Sequence, residues 1–171
     1  MKKFIFAILF LISFSGITLS QPVTNVWDKF EYLIGNWISS GNPEEGKSYF
    51  SFRKDLDGKV LVRKNHAEYP AKDNKPPVIH DDMLVIYLDN GKPGKAIHFD
   101  NEEHVIYYTI KYNDSDSSIV FTSDILVDIP RFRLTYNKLN DENVYIKFEF
   151  APPGNPDSFS TYLEGKAHKE K

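Results

Sequence analysis

The chain has 171 residues, a formal net charge of −3 and no cysteine, and 15% of its residues are aromatic. Without cysteine it has no disulfides, no thiolate nucleophile and no cysteine-ligated zinc or iron–sulfur site. A slightly acidic chain with no basic run also gives no electrostatic support for a nucleic-acid partner.

The first 20 residues have the order of an export signal. Lys2 and Lys3 precede the apolar residues 4–14, and Thr18 and Ser20 are small residues suited to a cleavage site. The apolar run is shorter than the roughly 20 residues that a membrane span needs. We therefore expect a signal peptide over residues 1–20, a mature domain over residues 21–171 without a membrane span, and a periplasmic or extracellular location. A buried N-terminal helix is the alternative.

A short helix is predicted at the start of the mature chain. Apolar residues of segment 23–34 recur at three- and four-residue spacings, as Trp27, Phe30, Leu33 and Ile34 do. This spacing is typical of an amphipathic helix, and Gly35 is suited to end it.

From Trp37 onward the apolar residues alternate, which predicts strands. Turn residues such as Asp57-Gly58 and Asn90-Gly91 divide this region at intervals of about 8–12 residues. The predicted strands are residues 37–39, 49–53, 59–69, 82–88, 95–99, 105–112, 118–123, 132–136, 144–150 and 159–166. Consecutive hairpins with short turns avoid exposed sheet edges by closing on themselves. We predict an all-β fold, a single antiparallel up-and-down β-barrel of about 8–10 strands, with the helix capping one end.

The segment Leu33-Ile34-Gly35-Asn36-Trp37 resembles the Gly-x-Trp signature of the calycin superfamily, which includes lipocalins, fatty-acid-binding proteins and nitrobindin-like haem barrels. The resemblance implies a calycin-like barrel in which Gly35 and Trp37 plug the floor. It also implies that an arginine from a late strand covers the tryptophan, and Arg131 and Arg133 are the candidates for that role.

The rest of the chain resembles a group of small exported bacterial proteins of unknown function that carry a lipocalin-like domain. This resemblance implies the fold and the export, and no activity. The segments that carry it are residues 57–63, 80–82, 99–101, 130–136 and 150–154.

Polar residues inside otherwise apolar strands are candidates for ligand contacts. In a barrel with a cavity, an inward arginine can anchor a ligand carboxylate, whereas the same residue on an outer face only marks the wet surface. We predict ligand contacts at Arg63, His104, Tyr108, Arg133 and Tyr136. Alternation places Arg133 and Tyr136 on opposite faces of one strand, and the pattern leaves open which face points inward.

Three residues around one turn, His98, Asp100 and His104, are candidates for a metal or acid–base cluster. Cross-strand neighbours have Cβ atoms roughly 5 Å apart, so the two imidazoles could approach each other. The compact segment His80-Asp81-Asp82 is a further candidate. Ordinary turn polarity and backbone capping explain both patterns more readily, and we predict neither a metal nor a cofactor.

Haem is a minor alternative that follows from the nitrobindin-like resemblance. His168 near the end of the last strand would be the iron ligand. It lies three residues from the terminus, and the longer glycine-rich haem-barrel signature is absent around Trp37.

The sequence contains no G-x-S-x-G, H-E-x-x-H, P-loop or dinucleotide motif. We therefore expect an exported binding protein that holds a small hydrophobic or amphipathic ligand inside the barrel. The alternatives are a lyase, isomerase or hydrolase that uses polar residues inside the same barrel, a haem-binding barrel, and a non-catalytic envelope scaffold.

Overall fold

Ten antiparallel strands form a closed barrel in the part of the chain that the computed structural model describes, residues 25–42, 44–72 and 74–171. The predicted signal peptide, residues 1–20, lies outside the described residues and stays a prediction. The strands are β1 (Gly35–Ser39), β2 (Lys47–Asp55), β3 (Val60–Tyr69), β4 (Val78–Asp89), β5 (Lys92–Asp100), β6 (Val105–Asn113), β7 (Ser118–Ser123), β8 (Arg131–Lys138), β9 (Asn143–Ala151) and β10 (Ser160–Lys169).

Each strand pairs with its neighbours in sequence, and β1 also pairs with β10. All of these pairs are antiparallel, so the sheet closes without a free edge. The predicted all-β, up-and-down barrel is therefore confirmed. In the described residues, no helix has the length and apolar character to cross a membrane.

The predicted helix is present in a shorter and tighter form. It is a 3-10 helix over Asp28–Leu33, and residues 23–24 of the predicted segment lie outside the described residues. Its buried apolar positions, Trp27, Phe30 and Leu33, are three residues apart. That spacing matches the three residues per turn of a 3-10 helix, which explains why an α-helix did not form.

The helix lies across one end of the barrel, which we call the closed end. Trp27 Nε1 donates to the carbonyl of Gly58 in the β2–β3 turn at 2.8 Å, and Lys29 contacts Asp114 in the β6–β7 turn at 2.6 Å. The Tyr32 hydroxyl donates to the carbonyl of Tyr136. The other connections surround the opposite end, which we call the open end. Their described residues are 40–42, 44–46, 70–72, 74–77, 101–104, 124–130 and 152–159.

Trp37 is completely buried next to this helix. Its Nε1 donates to the carbonyl of Leu33 at 2.8 Å, and its ring stacks on Phe50 with the centroids 5.9 Å apart. The cation over the ring is Lys169, whose Nζ lies 5.3 Å from the ring centroid. The prediction that Arg131 or Arg133 covers Trp37 is therefore wrong, because both guanidinium groups lie over Phe159 instead.

One strand boundary differs from the prediction in a way that affects the site. Strand β4 begins at Val78, four residues before the predicted start. Its ladder with β3 pairs Val78 with Tyr69 and Asp82 with Asn65. His80 and Asp82 therefore lie inside a paired strand, and not at its entrance.

Candidate functional site

A polar cluster lies on the inner face of three adjacent strands. The ladders pair Asn65 on β3 with Asp82 on β4, and Asp82 with Asp100 on β5. The next inward row holds Arg63 on β3 and His98 on β5. Antiparallel partners share one face of a sheet, so these side chains all point into the barrel.

A buried ion pair forms the centre of this cluster. Arg63 Nη1 donates to Asp82 Oδ1, and Asn65 Nδ2 donates to Asp82 Oδ2 at 2.9 Å. Burial alone would raise the pKa of the Asp82 carboxyl, but the charge of Arg63 and the hydrogen bond from His80 outweigh it and hold this pKa below its ordinary value. Asp82 is thus an anion at neutral pH, and its partner Arg63 is a cation.

Two histidines contact the Asp82 carboxylate, and their pKa values are shifted in opposite directions. His80 Nε2 lies 3.4 Å from Asp82 Oδ2, and its Nδ1 lies 3.0 Å from Glu102 Oε1. These two carboxylates, Asp82 first, raise the pKa of His80 to about 9. His98 Nδ1 lies 3.8 Å from Asp82 Oδ1, but burial lowers the pKa of His98. At neutral pH the cluster therefore contains one imidazolium and one neutral imidazole.

Asp100 connects the cluster to the β5–β6 turn. Its Oδ2 lies 2.8 Å from His104 Nδ1, and its Oδ1 accepts hydrogen bonds from the backbone amides of Glu102 and His104. His104 itself is exposed at the turn. In the described part of the chain, no group of three or more histidine, cysteine, aspartate or glutamate side chains is arranged to hold a metal ion.

Two buried polar atoms beside the ion pair have no hydrogen-bond partner among the residues that the structure describes. They are Arg63 Nε and the hydroxyl of Tyr136. Phe50 lies against both residues, 5.7 Å from the guanidinium carbon and 6.0 Å from the tyrosine ring centroid. Burial raises the pKa of Tyr136 to about 12, so both groups are hydrogen-bond donors at neutral pH. Tyr108 lies nearby, with its ring edge-on to His98.

An aromatic wall occupies the inner face of β8–β10. The rings of Phe132 and Phe148 stack within 5° of parallel at 5.7 Å, and Tyr162 meets Phe148 and Phe150 edge-on. A β-bulge between Thr161 and Leu163 turns Tyr162 toward these rings. We define the aromatic wall as Phe132, Phe148, Phe150, Tyr162 and Leu163, and each of them is at least partly exposed.

The polar cluster and the aromatic wall face each other. The ring has ten strands, and five positions separate β8 from β3, β9 from β4 and β10 from β5. Tyr69 on β3 senses both sides at the open end: burial first, and then the nearby Tyr162 and Asp82, raise its pKa. The interior at the open end is therefore polar on one side and aromatic on the other.

The outer face holds two of the residues that were considered for the site. Arg133 Nε and Nη2 bind both carboxylate oxygens of Glu149 at 2.7 and 2.8 Å, and its guanidinium lies 4.1 Å from the Phe159 ring centroid. His168 is paired with Ile38 on the outer face and lies 3.1 Å from Ser40 Oγ. His168 therefore does not offer a ligand to haem inside the barrel.

A cleft of about 860 Å³ crosses the outer face of β1–β5. Its histidine is already paired, because His66 Nδ1 and Nε2 lie 2.7 and 3.1 Å from Asp81 and Glu68. Lys47 also contacts Glu68 at 3.1 Å. The polar atoms that lack partners lie inside the barrel, so we place the candidate site there.

The structure brings together Arg63, Tyr108 and Tyr136 of the five predicted ligand contacts. It places His104 at the rim and Arg133 outside, and their roles as ligand contacts stay predictions. Sequence analysis missed the aromatic wall and the central position of Asp82. The available signal for the wall was the alternation of Phe132, Leu134 and Tyr136 along one strand. It predicts that Phe132 faces inward once Tyr136 is known to do so.

Comparison of the chain with protein-family models and with curated proteins finds no match. The chain is similar in structure to the S-type phycobiliprotein lyase CPES from Guillardia theta, with 13% sequence identity and a TM-score of 0.47. The similarity covers 83% of this chain and 90% of that chain.

Proposed function

We propose that the barrel binds one small amphipathic molecule through its open end. The observation that carries this proposal is the divided interior. The unpartnered donors of Arg63 and Tyr136 lie deeper in the barrel than the aromatic wall, which is partly exposed at the open end. A ligand whose polar end accepts hydrogen bonds would satisfy these donors, and its apolar part would cover the wall. Buried donors without partners are unfavourable, so such a ligand gains affinity by pairing them.

The ligand's polar end is expected to be a carbonyl or carboxylate oxygen. Both orphan groups are donors, and Asp82 already offsets the charge of Arg63. Recognition therefore depends on hydrogen bonding more than on net charge. The predicted export of the chain would place this ligand in the periplasm or outside the cell.

Binding is tested with a dansyl-labelled fatty acid, whose fluorescence rises in an apolar site, and with native mass spectrometry of protein isolated from its own host. Leu163→Asp puts a charge into the aromatic wall at a residue that is already 51% exposed, so folding should be little affected. Leu139→Asp is the matched control, since Leu139 is 49% exposed in the β8–β9 turn at the closed end. We expect at least tenfold weaker probe binding for Leu163→Asp only. Equal affinity in both variants would place the probe outside the barrel.

Acid–base catalysis is the second candidate function, and one observation favours it. His80 and His98 flank the same carboxylate, and their pKa values shift in opposite directions. Such a pair provides a proton donor and a proton acceptor at one pH. In a catalyst, His98→Asn would accumulate the substrate, so the parent and the variant would co-purify with different compounds. A binding protein would carry the same compound in both.

A further inference from the structure

The β7–β8 loop, residues 124–130, exposes a run of aliphatic side chains at the open end. Ile125, Leu126, Val127 and Ile129 are each at least half exposed, and Val127 is 87% exposed. Contiguous exposed apolar side chains are unusual on a monomer and mark a contact surface. We call these four residues the aliphatic loop.

The base of the aliphatic loop is held firmly by the barrel. Arg131 Nε donates to the carbonyl of Ser123 at 3.1 Å, and Ser123 Oγ accepts from the amide of Phe132 at 2.8 Å. The amide of Asp124 donates to the carbonyl of Tyr107 on β6. These bonds fix both ends of the loop, so its tip is held in an exposed position at the open end.

We propose that the aliphatic loop inserts into the surface of an uncharged lipid bilayer and docks the barrel there with its open end toward the membrane. The composition of the loop supports lipid over protein as the occupant. Protein interfaces concentrate their binding energy in tryptophan, tyrosine and arginine, whereas the exposed apolar residues of this tip are all branched aliphatic. Tyr107, half exposed beside the loop base, has the amphipathic ring that suits the headgroup level.

The charges around the loop select the type of lipid. Asp124 and Asp128 lie within the loop connection, and Glu102 and Glu103 lie on the neighbouring β5–β6 turn. Carboxylates at this position repel anionic headgroups, and such repulsion is screened by salt. The loop is therefore suited to zwitterionic lipid such as phosphatidylcholine.

The proposal is tested with a fluorophore at the loop tip. The chain has no cysteine, so Val127→Cys provides a single attachment site for the environment-sensitive dye NBD. Leu56→Cys is the matched control, because Leu56 is 67% exposed in the β2–β3 turn at the closed end. The dye reports only its own surroundings, so the apolar residues 4–14 of the full chain do not affect the comparison.

With phosphatidylcholine vesicles we expect a blue shift and quenching by lipid-borne spin labels at position 127, and neither at position 56. Adding Ile125→Ser and Leu126→Ser to the labelled chain should weaken vesicle binding at least tenfold, with dansyl fatty acid binding in vesicle-free buffer unchanged. The labelled chain should bind phosphatidylserine vesicles more weakly, and added salt should restore this binding.

Three results would overturn the proposal. The first is an unchanged dye at position 127 in the presence of vesicles, and the second is an equal shift at both positions. The third is a shift that grows with protein concentration in the absence of vesicles, which would mean that a second copy of the chain covers the loop. Stronger binding to phosphatidylserine at low salt would also contradict the charge argument. Ligand binding in vesicle-free buffer is measured separately, so its failure would leave the lipid result standing.

Discussion

Replacing Tyr136 with phenylalanine should stabilise the ligand-free protein. The Tyr136 hydroxyl is fully buried without a partner, while its ring packs against Phe50, Phe52 and Phe121. Leaving a buried polar group unpaired costs about 1–3 kcal/mol, and Tyr136→Phe removes that group while keeping the ring contacts. Taking the lower bound, we expect the free energy of unfolding to rise by about 1 kcal/mol and the Tm by about 2–4 °C.

Urea unfolding followed by tryptophan fluorescence measures this change, because Trp27 and Trp37 are both buried. Tyr32→Phe is the matched control. The Tyr32 hydroxyl donates to the carbonyl of Tyr136 at 3.2 Å, so its removal should lower the free energy of unfolding by about 0.5–1.5 kcal/mol. A loss of stability in Tyr136→Phe as large as in Tyr32→Phe would refute the reasoning, because it would show that the Tyr136 hydroxyl is paired.

The same substitution should weaken ligand binding about tenfold, which corresponds to about 1.4 kcal/mol. A ligand at one hundred times its Kd stabilises the parent by about 2.7 kcal/mol, and a tenfold weaker one adds only about 1.4 kcal/mol to the variant. The stability advantage of Tyr136→Phe should therefore disappear when the ligand is added. If the advantage persists in full, the hydroxyl does not contact the ligand.

Three other perturbations have expected outcomes. Arg63→Met should lower the free energy of unfolding by about 3–5 kcal/mol because it leaves the Asp82 carboxylate buried without its guanidinium partner. Arg63→Met combined with Asp82→Leu should recover most of this loss in urea titrations. Gly35→Ala should lower the free energy of unfolding by about 1–3 kcal/mol, because Gly35 has a φ of 128° and a Cβ there would lie 2.9 Å from Lys169 Cε. Thermal unfolding measures this loss, and an unchanged Tm would show that β1 adjusts freely. The folded pKa of His80, about 9, is above its unfolded value of 6.5. This histidine therefore stabilises the fold fully below pH 6.5, and its contribution is lost as the pH rises through 9. The stability advantage of the parent over His80→Gln should shrink over that range, and a constant difference would contradict the contacts of His80 with Asp82 and Glu102.

The barrel itself could be predicted because it depends on local information. Alternation of apolar residues identified all ten strands, and turn residues placed the hairpins between them. The helix type was missed because Ile34, four residues after Phe30, gives the segment the mixed three- and four-residue spacing of an α-helix, whereas Trp27, Phe30 and Leu33 alone are three residues apart. The start of β4 was missed because Val78 to Asp82 mixes apolar and polar residues after a proline-rich loop, and pairing with β3 decides that it is a strand.

The site could be predicted only in part because it depends on which face of each strand points inward. Arg133 and Tyr136 were both predicted as ligand contacts, yet alternation allows only one of them to face the interior. The interior position of Tyr136 follows from its packing against Phe52 on β2, across the barrel. Likewise, Lys169 meets Trp37 only because β10 pairs with β1, a contact between the two ends of the chain.

That pairing has a consequence for how the barrel forms and opens. The β1–β10 ladder contains three residue pairs, from Trp37 with Lys169 to Ser39 with Ala167, and is the shortest ladder among the described strands. Because it joins residues from opposite ends of the chain, its loop-closure entropy is the largest and the shortest ladder must offset it. The seam is therefore expected to close last during folding and to open first in the native state. Amide hydrogen exchange should be fastest among the paired strands at this seam, where a transient gap would widen the interior without unfolding the other nine ladders.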